Sequence, residues 1–196
     1  KNMFQHHFDD IQQSIHKIRM KEVLTKDIVQ RGLESIRISQ MIWGTYFINV
    51  RLVEAGRLQY EYVDVHTIRI HIPDDEKLDV SKVIHSIACS KDIIKRYFWI
   101  EEPQYVCDSW LLSPEIHQLV SKNSNIYQFY ELFDVSKGYD CIRDIFDFVY
   151  QTKECDYRDL AEKTSLQRSI KNYLLDGNSI HLGSGILKQR QIKDFV

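Results

Sequence analysis

The chain has 196 residues, of which 43% are hydrophobic and 28% are charged, and its formal net charge is -2 at pH 7. This length and composition predict one soluble globular domain with a sizeable core, and the small net charge gives no electrostatic reason to expect nucleic acid or a membrane as a partner. The most apolar stretch, residues 41–50, is far shorter than the roughly 20 residues that cross a bilayer, and no secretory leader precedes it, so we expect a cytoplasmic protein.

Two amphipathic helices are predicted at the start of the chain. Apolar residues recur at helical spacing between residues 4 and 22, and a second helix follows Thr25, a typical N-cap residue, and ends at Gly44. Since Lys1 leads almost directly into the first helix, we expect that a further N-terminal domain precedes this sequence in a longer protein.

A β-hairpin and a third strand are predicted next, because the apolar period changes from helical spacing to two. The hairpin begins at Tyr46, turns over residues 54–57 and returns over residues 58–62. The third strand covers residues 67–72, and Pro73 terminates it. Three neighbouring strands of this kind indicate an antiparallel meander.

A crossover connection follows the meander. Asp79 or Ser81 is expected to cap a helix that continues to Phe98, and residues 104–110 have the pattern of a buried strand. Because strand, helix and strand succeed one another, we expect the strands at 67–72 and 104–110 to run parallel.

The remainder of the chain alternates between short elements. Ser113 and Pro114 predict the start of a helix that ends near Asn123, and the aromatic-rich residues 126–133 predict a strand. Asp140 is a candidate cap for a helix over residues 141–149.

The last predicted helix covers residues 165–175. Thr164-Ser165-Leu166-Gln167 fits the capping box that starts it, and Asp176-Gly177 fits its end.

The whole sequence is therefore predicted to form one domain of the α/β (α+β) class, residues 1–196, with a mixed and mostly antiparallel sheet flanked by helices. Its parts are a helix pair (1–44), a central sheet with crossover helices (45–133) and a C-terminal helical segment (134–196). No repeat or flexible linker interrupts it.

The four cysteines form no C-x-x-C pair and lie in or beside predicted regular elements. Reduced, mostly buried thiols without a disulfide are expected in a cytoplasmic protein. No metal site is expected either, because His6 and His7 are adjacent and no other His, Cys or acidic set has the spacing of metal ligands. The cysteines are Cys89, Cys107, Cys141 and Cys155.

The predicted order of elements and several short motifs resemble those of a known protein family. That order is the one found in GNAT acyltransferases, whose sheet splays between its fourth and fifth strands to admit acyl-CoA. The resemblance therefore implies that the strands at 67–72 and 104–110 diverge at their C-terminal ends and leave a cleft bordered by His71 and Trp110. Five short motifs in sequence resemble the GNAT-like C-terminal domain of a bacterial acyltransferase family. They are His71-Ile72-Pro73, Cys107-Asp108-Ser109-Trp110-Leu111-Leu112-Ser113-Pro114, Ser124-Asn125-Ile126, Thr164-Ser165-Leu166-Gln167-Arg168 and Gly183-Ser184-Gly185.

The resemblance implies direct transfer of an acyl group, such as that of acetyl-CoA, to an amine on a small molecule or peptide. It covers residues 46–187 and places the acyl-CoA beside Ile72, Lys77, Ser81, Trp110 and Asn125. Trp110 is equally explained as a core aromatic, and Asn125 as a cap of the preceding helix.

One loop departs from the superfamily pattern. GNAT enzymes hold the CoA pyrophosphate on a glycine-containing loop after the fourth strand, where backbone N–H groups point at the phosphates. Here that loop is residues 73–79, which contain four acids and no glycine. Unless Lys77 and the helix N-terminus outweigh these acids, conventional CoA binding is expected to be weak, since each charge near a helix end contributes only about 0.3–1 kcal/mol.

His71 is the leading catalytic candidate because it ends a central strand beside the expected splay. A histidine at this place can take a proton from the amine, although a hydrogen-bonded strand-end histidine is the simpler structural interpretation. Cys107 and Ser109 lie on one face of the next strand and are candidates to meet His71 as nucleophile or acyl-site residues. A buried cysteine is more often a small apolar residue than a nucleophile.

Two further sites are candidates for anion or substrate binding. Thr164, Ser165, Gln167 and Arg168 combine a helix N-terminus with hydroxyls and a cation, and the same residues are explained by helix capping alone. His181 and the glycine turn at 183–185 are interpreted either as a mobile lid or as a plain terminal turn.

Three functional hypotheses follow from these residues. The first is a GNAT-like N-acyltransferase that uses acyl-CoA as co-substrate and His71 as base. The second is a non-catalytic ligand-sensing or protein-interaction module with the same fold, which the acidic loop favours. The third, ranked last, is covalent transfer through Cys107.

Overall fold

The computed structural model describes residues 51–74 and 76–188, so the expected helices before residue 44 lie outside the described part. Its centre is a six-stranded sheet with the strand order β1-β2-β3-β4-β6-β5. Among the described strands, β3 and β4 pair parallel and the other neighbours pair antiparallel. The strands are β1 (Leu52–Ala55), β2 (Leu58–Tyr62), β3 (Thr67–His71), β4 (Gln104–Ser109), β5 (Phe133–Asp140) and β6 (His181–Leu187).

The hairpin around Gly56, the third strand and the parallel crossover were predicted and are confirmed. The expected start of the hairpin at Tyr46 lies outside the described residues. The turn of the hairpin contains Gly56 at φ 62°, a left-handed conformation that glycine adopts without the steric cost of a side chain. The crossover is α1 (Val80–Phe98), which Asp79 caps by accepting from the N–H groups of Ser81 and Lys82.

Helix α1 covers one face of the sheet because its apolar positions recur at helical spacing. Val83, Ile87 and Ile94 are almost fully buried against that face. Beneath the helix, the Ser86 hydroxyl contacts the Tyr60 hydroxyl at 2.9 Å, accepts from the Leu58 N–H at 3.1 Å and donates to the Ala55 carbonyl. These bonds satisfy the buried polar groups where the helix meets the hairpin, as burial requires.

The other helical elements are short and begin at well-defined caps. Ser113 caps the helix that Pro114 opens, and Thr164 and Gln167 form the predicted capping box. No helix in the described part of the chain is both long and apolar enough to cross a membrane. The elements are a 3-10 turn (Trp110–Leu112), α2 (Pro114–Leu119), α3 (Asn125–Glu131), α4 (Ile142–Asp144) running into a π-helical turn (Ile145–Tyr150), a 3-10 turn (Tyr157–Asp159) and α5 (Ser165–Leu175).

The predicted strand at 126–133 is wrong, because residues 125–131 form α3. Ser124 caps this helix through the Tyr127 N–H, and Phe129 is fully buried. Ile126, Phe129 and Tyr130 stand at positions i, i+3 and i+4 and contact the same core, a helical spacing that the β-forming preference of aromatic residues obscured.

The C-terminal segment is also not purely helical, as residues 134–196 were expected to be. It contains most of β5 and all of β6, and β6 is inserted between β4 and β5 in the sheet. Asp140 belongs to the end of β5, from which its carboxylate accepts the Ile142 N–H, and Cys141 occupies the cap position of α4.

Candidate active site

The pairing between β3 and β4 stops before either strand ends. Their parallel register runs from Thr67 opposite Gln104 to Arg69 opposite Val106. Beyond that point His71 still pairs with Gln59 of β2, whereas Asp108 pairs with Ser184 of β6. The pairing of the two central strands therefore ends before their C-terminal ends, where the divergence was expected. The place beyond the last pair, between His71 and Asp108, is called the gap below.

Four charged or titratable side chains meet on the polar face of the sheet beside this gap. His71 Nε2 lies 2.9 Å from Glu61 Oε2, and the guanidinium of Arg69 lies 3.5 Å from both Glu61 Oε2 and Asp108 Oδ2. The Glu61 side chain is 8% exposed and that of Asp108 is 42% exposed. Glu61, Arg69, His71 and Asp108 are called the polar cluster below.

The hydrogen bond to Glu61 determines which nitrogen of His71 carries the proton. An ionised carboxylate only accepts hydrogen bonds, so Nε2 donates to Glu61 and the lone pair of the neutral ring lies on Nδ1. Burial lowers the pKa of His71 below its usual value, and Glu61 opposes that shift only in part. The lowered pKa favours the neutral form of His71, in which Nδ1 carries the lone pair that can accept a proton.

Cys107 and Ser109 do not meet His71, because alternation along the strands places them on the opposite face of the sheet. Cys107 is fully buried in the core beneath α1, and burial raises the pKa of its thiol, which disfavours the thiolate. Ser109 accepts the Leu111 N–H at 3.2 Å and thereby caps the 3-10 turn. The sequence pattern correctly placed Cys107 and Ser109 on one face of their strand, but the contact with His71 that it suggested does not form.

Native-state thiol labelling is expected to separate the cysteines by burial. Cys89 is exposed and Cys155 is partly exposed, whereas Cys107 and Cys141 are buried and all four are free thiols. With Ellman's reagent, we expect rapid reaction of Cys89 and no reaction of Cys107 until the protein unfolds, since the thiolate is the nucleophile and needs access. Rapid labelling of Cys107 in the native protein, located by peptide mass spectrometry, would support covalent transfer through this residue.

The loop after β3 is tied to the hairpin by Arg57. The Arg57 guanidinium donates to the carbonyls of Pro73 at 2.7 Å and Glu76 at 2.9 Å, and its Nε lies 3.6 Å from the Glu76 carboxylate. Lys82 Nζ reaches the same carboxylate at 2.8 Å. Two cations thus compensate the charge of Glu76, which reduces the expected repulsion of a phosphate.

The N-terminus of α1 is nevertheless occupied by a carboxylate of its own. Asp79 Oδ1 accepts the N–H groups of Ser81 at 2.9 Å and Lys82 at 3.2 Å, which are among the donors that a pyrophosphate would need. Lys77 and Ser81 are exposed, and Ile72 packs against the core beneath α1. The structure therefore brings Lys77 and Ser81 to this loop without forming an open phosphate cradle.

Two of three comparisons with known proteins agree with this architecture. The family model described as the GNAT-like C-terminal domain matches residues 52–187. The chain belongs to this family. No curated protein matches the sequence.

Solved structures with the same fold include an acyltransferase in complex with decanoyl-CoA and teicoplanin, with 22% identity and a TM-score of 0.67 over 74% of this chain. An acyltransferase mutant in complex with octanoyl-CoA has 21% identity, the same TM-score and the same coverage. The chain spans about half the length of these structures, 49% of each.

A second buried carboxylate in this GNAT-like domain belongs to Glu115, in the first turn of α2, which was not among the residues singled out from the sequence. Its oxygens accept from the Ser113 hydroxyl at 2.9 Å and from the backbone N–H of His181 at 3.2 Å. His181 Nδ1 lies 3.2 Å from the carboxylate and Lys137 Nζ lies 2.9 Å from it. His181 is thus held at the start of β6 by α2.

Glu115 is expected to make stability depend on acid pH. Burial disfavours its charge, but bonds from Lys137, His181 and Ser113 outweigh burial and lower the pKa of Glu115 to about 2. A depressed folded-state pKa contributes stability that is present above the unfolded value and is lost as pH falls between about 4.5 and 2. Urea titrations from pH 7 to 2 should show this loss, and Glu115→Gln should flatten it while costing about 1.5–3 kcal/mol at pH 7. An unchanged pH dependence in the variant would contradict this assignment.

The glycine motif lies in a strand and forms neither a lid nor a terminal turn. Gly183 and Gly185 pair with Ser109 and Cys107 of β4. A Cβ atom added to Gly183 would lie 1.7 Å from the Leu112 carbonyl oxygen, and one added to Gly185 would lie 2.8 Å from the Leu112 side chain. The glycines therefore allow the 3-10 turn after β4 to lie directly on β6.

The remaining candidates have local hydrogen bonds or packing. The Gln167 side chain accepts from the N–H groups of Lys163 and Thr164 and donates to the Val149 carbonyl at 3.0 Å, while Arg168 donates to the Glu162 carbonyl at 2.9 Å. The bond from the Thr164 N–H, together with the Gln167 N–H donating to Thr164 Oγ1 at 3.1 Å, forms the capping box. Trp110 packs against two hydrophobic clusters, one that contains Phe129 and one that contains Ile170. Ser165 is the first residue of α5, and Asn125 is exposed at the first residue of α3, where Ser124 is the cap.

No group of three or more His, Cys, Asp or Glu side chains within residues 51–74 and 76–188 is placed to hold a metal ion.

Proposed function

We propose that this domain transfers an acyl group from acyl-CoA directly to an amine, with His71 as the general base. The observation that carries the proposal is the neutral His71, oriented by Glu61 at 2.9 Å, at the point where β3 and β4 part. A base with a pKa near the working pH accelerates proton transfer by about 10²–10⁴-fold. The family membership and the fold of the solved acyltransferases support the same reaction class.

The proposed reaction places the thioester in the gap between β3 and β4. The amine nitrogen attacks the carbonyl carbon, a C–N bond forms and the C–S bond breaks. His71 accepts a proton from the amine at Nδ1, while Glu61 at Nε2 stabilises the imidazolium that results. The imidazolium then returns this proton to the CoA sulfur, which leaves as the free thiol. Cys107 and Ser109 have no part in these steps because they lie on the other face of the sheet.

The acyl donor is to be identified experimentally. The solved structures that share the fold contain octanoyl-CoA and decanoyl-CoA, so medium-chain donors should be tested beside acetyl-CoA. A ligand that binds only the folded state stabilises it by about 2.7 kcal/mol at a hundredfold excess over Kd. Because each kcal/mol raises the Tm of a domain of this size by roughly 2–4 °C, a shift of about 5–10 °C is expected.

The assay should use the full-length protein, because this chain spans about half of the solved acyltransferases. Release of CoA thiol in the presence of an amine panel, with amide products identified by mass spectrometry, measures transfer itself. A melting shift together with an amide product supports the proposal. No shift and no product at millimolar concentrations of any of the three donors would reject it.

A non-catalytic binding module is the second candidate, and the blocked N-terminus of α1 favours it. Asp79→Ser keeps a capping hydroxyl but removes the charge, so it should tighten acyl-CoA binding if Asp79 weakens the phosphate site. Asp74→Ser removes an exposed acid of the same loop and serves as the control. Failure of both variants and of the wild type to bind acyl-CoA would favour the module.

A further inference from the structure

We propose that Asp108 recognises the acceptor as a cation, so that the substrate of this site is an amine that arrives as an ammonium ion. The inference rests on the proposed function, because it assigns the acceptor to the gap between β3 and β4. From the sequence, Asp108 was named only as one residue of the motif at 107–114.

The register places Asp108 across the gap from His71. The last β3–β4 pair is Arg69 opposite Val106, and His71 and Asp108 each lie two residues further along their parallel strands. An even step along a strand returns to the same face, so both side chains lie on the polar face. Asp108 is also close enough to His71 to influence its protonation electrostatically. A group held by Asp108 is therefore beside the proposed base.

The charges of the polar cluster leave a net negative site at its exposed end. Glu61 and Asp108 are carboxylates, Arg69 is the one cation among the four side chains, and His71 is neutral. The Arg69 guanidinium is shared between the two carboxylates at 3.5 Å each, longer than a charge-assisted N–H to O bond of about 2.7–2.9 Å.

Exposure distinguishes the two carboxylates. Glu61 is 8% exposed and already accepts from His71, so its role is to orient the imidazole. The Asp108 side chain is 42% exposed and can contact an incoming ligand. An ammonium bound there gains a charge-assisted hydrogen bond, whereas an acceptor with a carboxylate beside its amine meets repulsion.

The same arrangement completes the proton balance of the reaction. The bound ammonium must lose one proton before its nitrogen can attack, and His71 receives that proton while Asp108 stays ionised. The second N–H proton leaves with the CoA sulfur after the C–N bond has formed and the C–S bond has broken. The products are an amide, CoA thiol and one proton released from His71 to water.

Asp108→Asn is expected to raise KM for an alkylamine such as phenethylamine about tenfold or more, with a much smaller change in kcat. The variant keeps the shape of the side chain and removes its charge. An aniline, which is uncharged at neutral pH, should show the same KM with both proteins, and Asp108→Glu should restore part of the alkylamine affinity. Asp134→Asn is the matched control, because Asp134 lies on the same face of the sheet and its side chain is 78% exposed.

Binding of phenethylammonium to the acyl-free protein, followed by NMR, tests the inference without turnover. We expect saturable binding to the wild type and to Asp134→Asn and none to Asp108→Asn. If acyl transfer occurs but Asp108→Asn alters neither the alkylamine KM nor this binding, the inference fails and the proposed function stands. If acyl-CoA neither binds nor reacts while Asp108 still binds the ammonium, the proposed function fails instead. Absence of ammonium binding to the wild type overturns the inference in either case.

Discussion

Replacement of His71 by glutamine is expected to lower kcat/KM for acyl transfer by about 10²–10⁴-fold while the affinity for acyl-CoA stays unchanged. The glutamine amide can still donate a hydrogen bond to Glu61, so the polar cluster keeps its arrangement, but it cannot accept a proton. Steady-state kinetics with a saturating donor, together with the melting shift produced by that donor, separate the loss of chemistry from a loss of binding.

The pH profile gives this prediction a second readout. Glu61, Arg69 and Asp108 face His71, and burial lowers its pKa in spite of the two carboxylates. The wild-type kcat/KM should therefore stay constant from neutral pH to below about pH 6.5 and decline only as the imidazole becomes protonated. His71→Gln should lose that decline. Ser109→Ala is the control, since Ser109 only caps a turn on the other face, and an activity loss in this control equal to that of His71→Gln would place the chemistry elsewhere.

Gly183→Val should produce the largest loss of stability of the substitutions considered, at least about 3 kcal/mol and enough to prevent folding at 37 °C if the wild type is marginal. A Cβ atom at this position would lie 1.7 Å from the backbone carbonyl oxygen of Leu112 and 2.7 Å from its Cβ. Backbone cannot yield as a flexible side chain can, so β6 or the 3-10 turn must move away from the sheet.

Thermal and urea unfolding of Gly183→Val and Ser184→Ala would measure this effect. Ser184 is the next residue of β6, is partly exposed and points to the opposite face, so its truncation should change stability by no more than about 0.5 kcal/mol. For a domain of this size the expected difference corresponds to roughly 6–12 °C in Tm. Equal stability of the two variants would show that the close contact between β6 and Leu112 is not needed for the fold.

Local sequence signals were sufficient to predict the elements whose start or end is set by residues close to it in the sequence. The alternation around Gly56, the Asp79 cap of α1 and the Thr164–Gln167 capping box each specify their element through neighbours in sequence. The parallel pairing of β3 with β4 was also predictable, because a crossover helix between two strands leaves few alternatives.

Long-range contacts decided the elements that were predicted wrongly. Residues 183–185 have little strand propensity, and they form a central strand because only glycine fits under Leu112. Residues 126–133 have high strand propensity, and part of this segment becomes α3 because Phe129 is buried in the core on one side of a helix. For the glycine segment the packing partner, Leu112, lies far away in the sequence, so no local pattern contains the deciding information. For α3 the local helical spacing was present, but strand propensity competed with it and burial in the core decided between them.

The candidate site likewise combines features that the sequence predicts with features that depend on long-range contacts. The sequence alone determined that His71 ends a central strand, because hydrophobic alternation and the crossover place it there, and the resemblance to GNAT enzymes implied the divergence beside it. Only the tertiary structure decided that Glu61 orients this histidine, that Asp108 faces it and that Cys107 and Ser109 do not. The physical reason is strand register: a side chain's neighbours across a sheet, and the face that it occupies, depend on which residues of separate strands lie opposite each other.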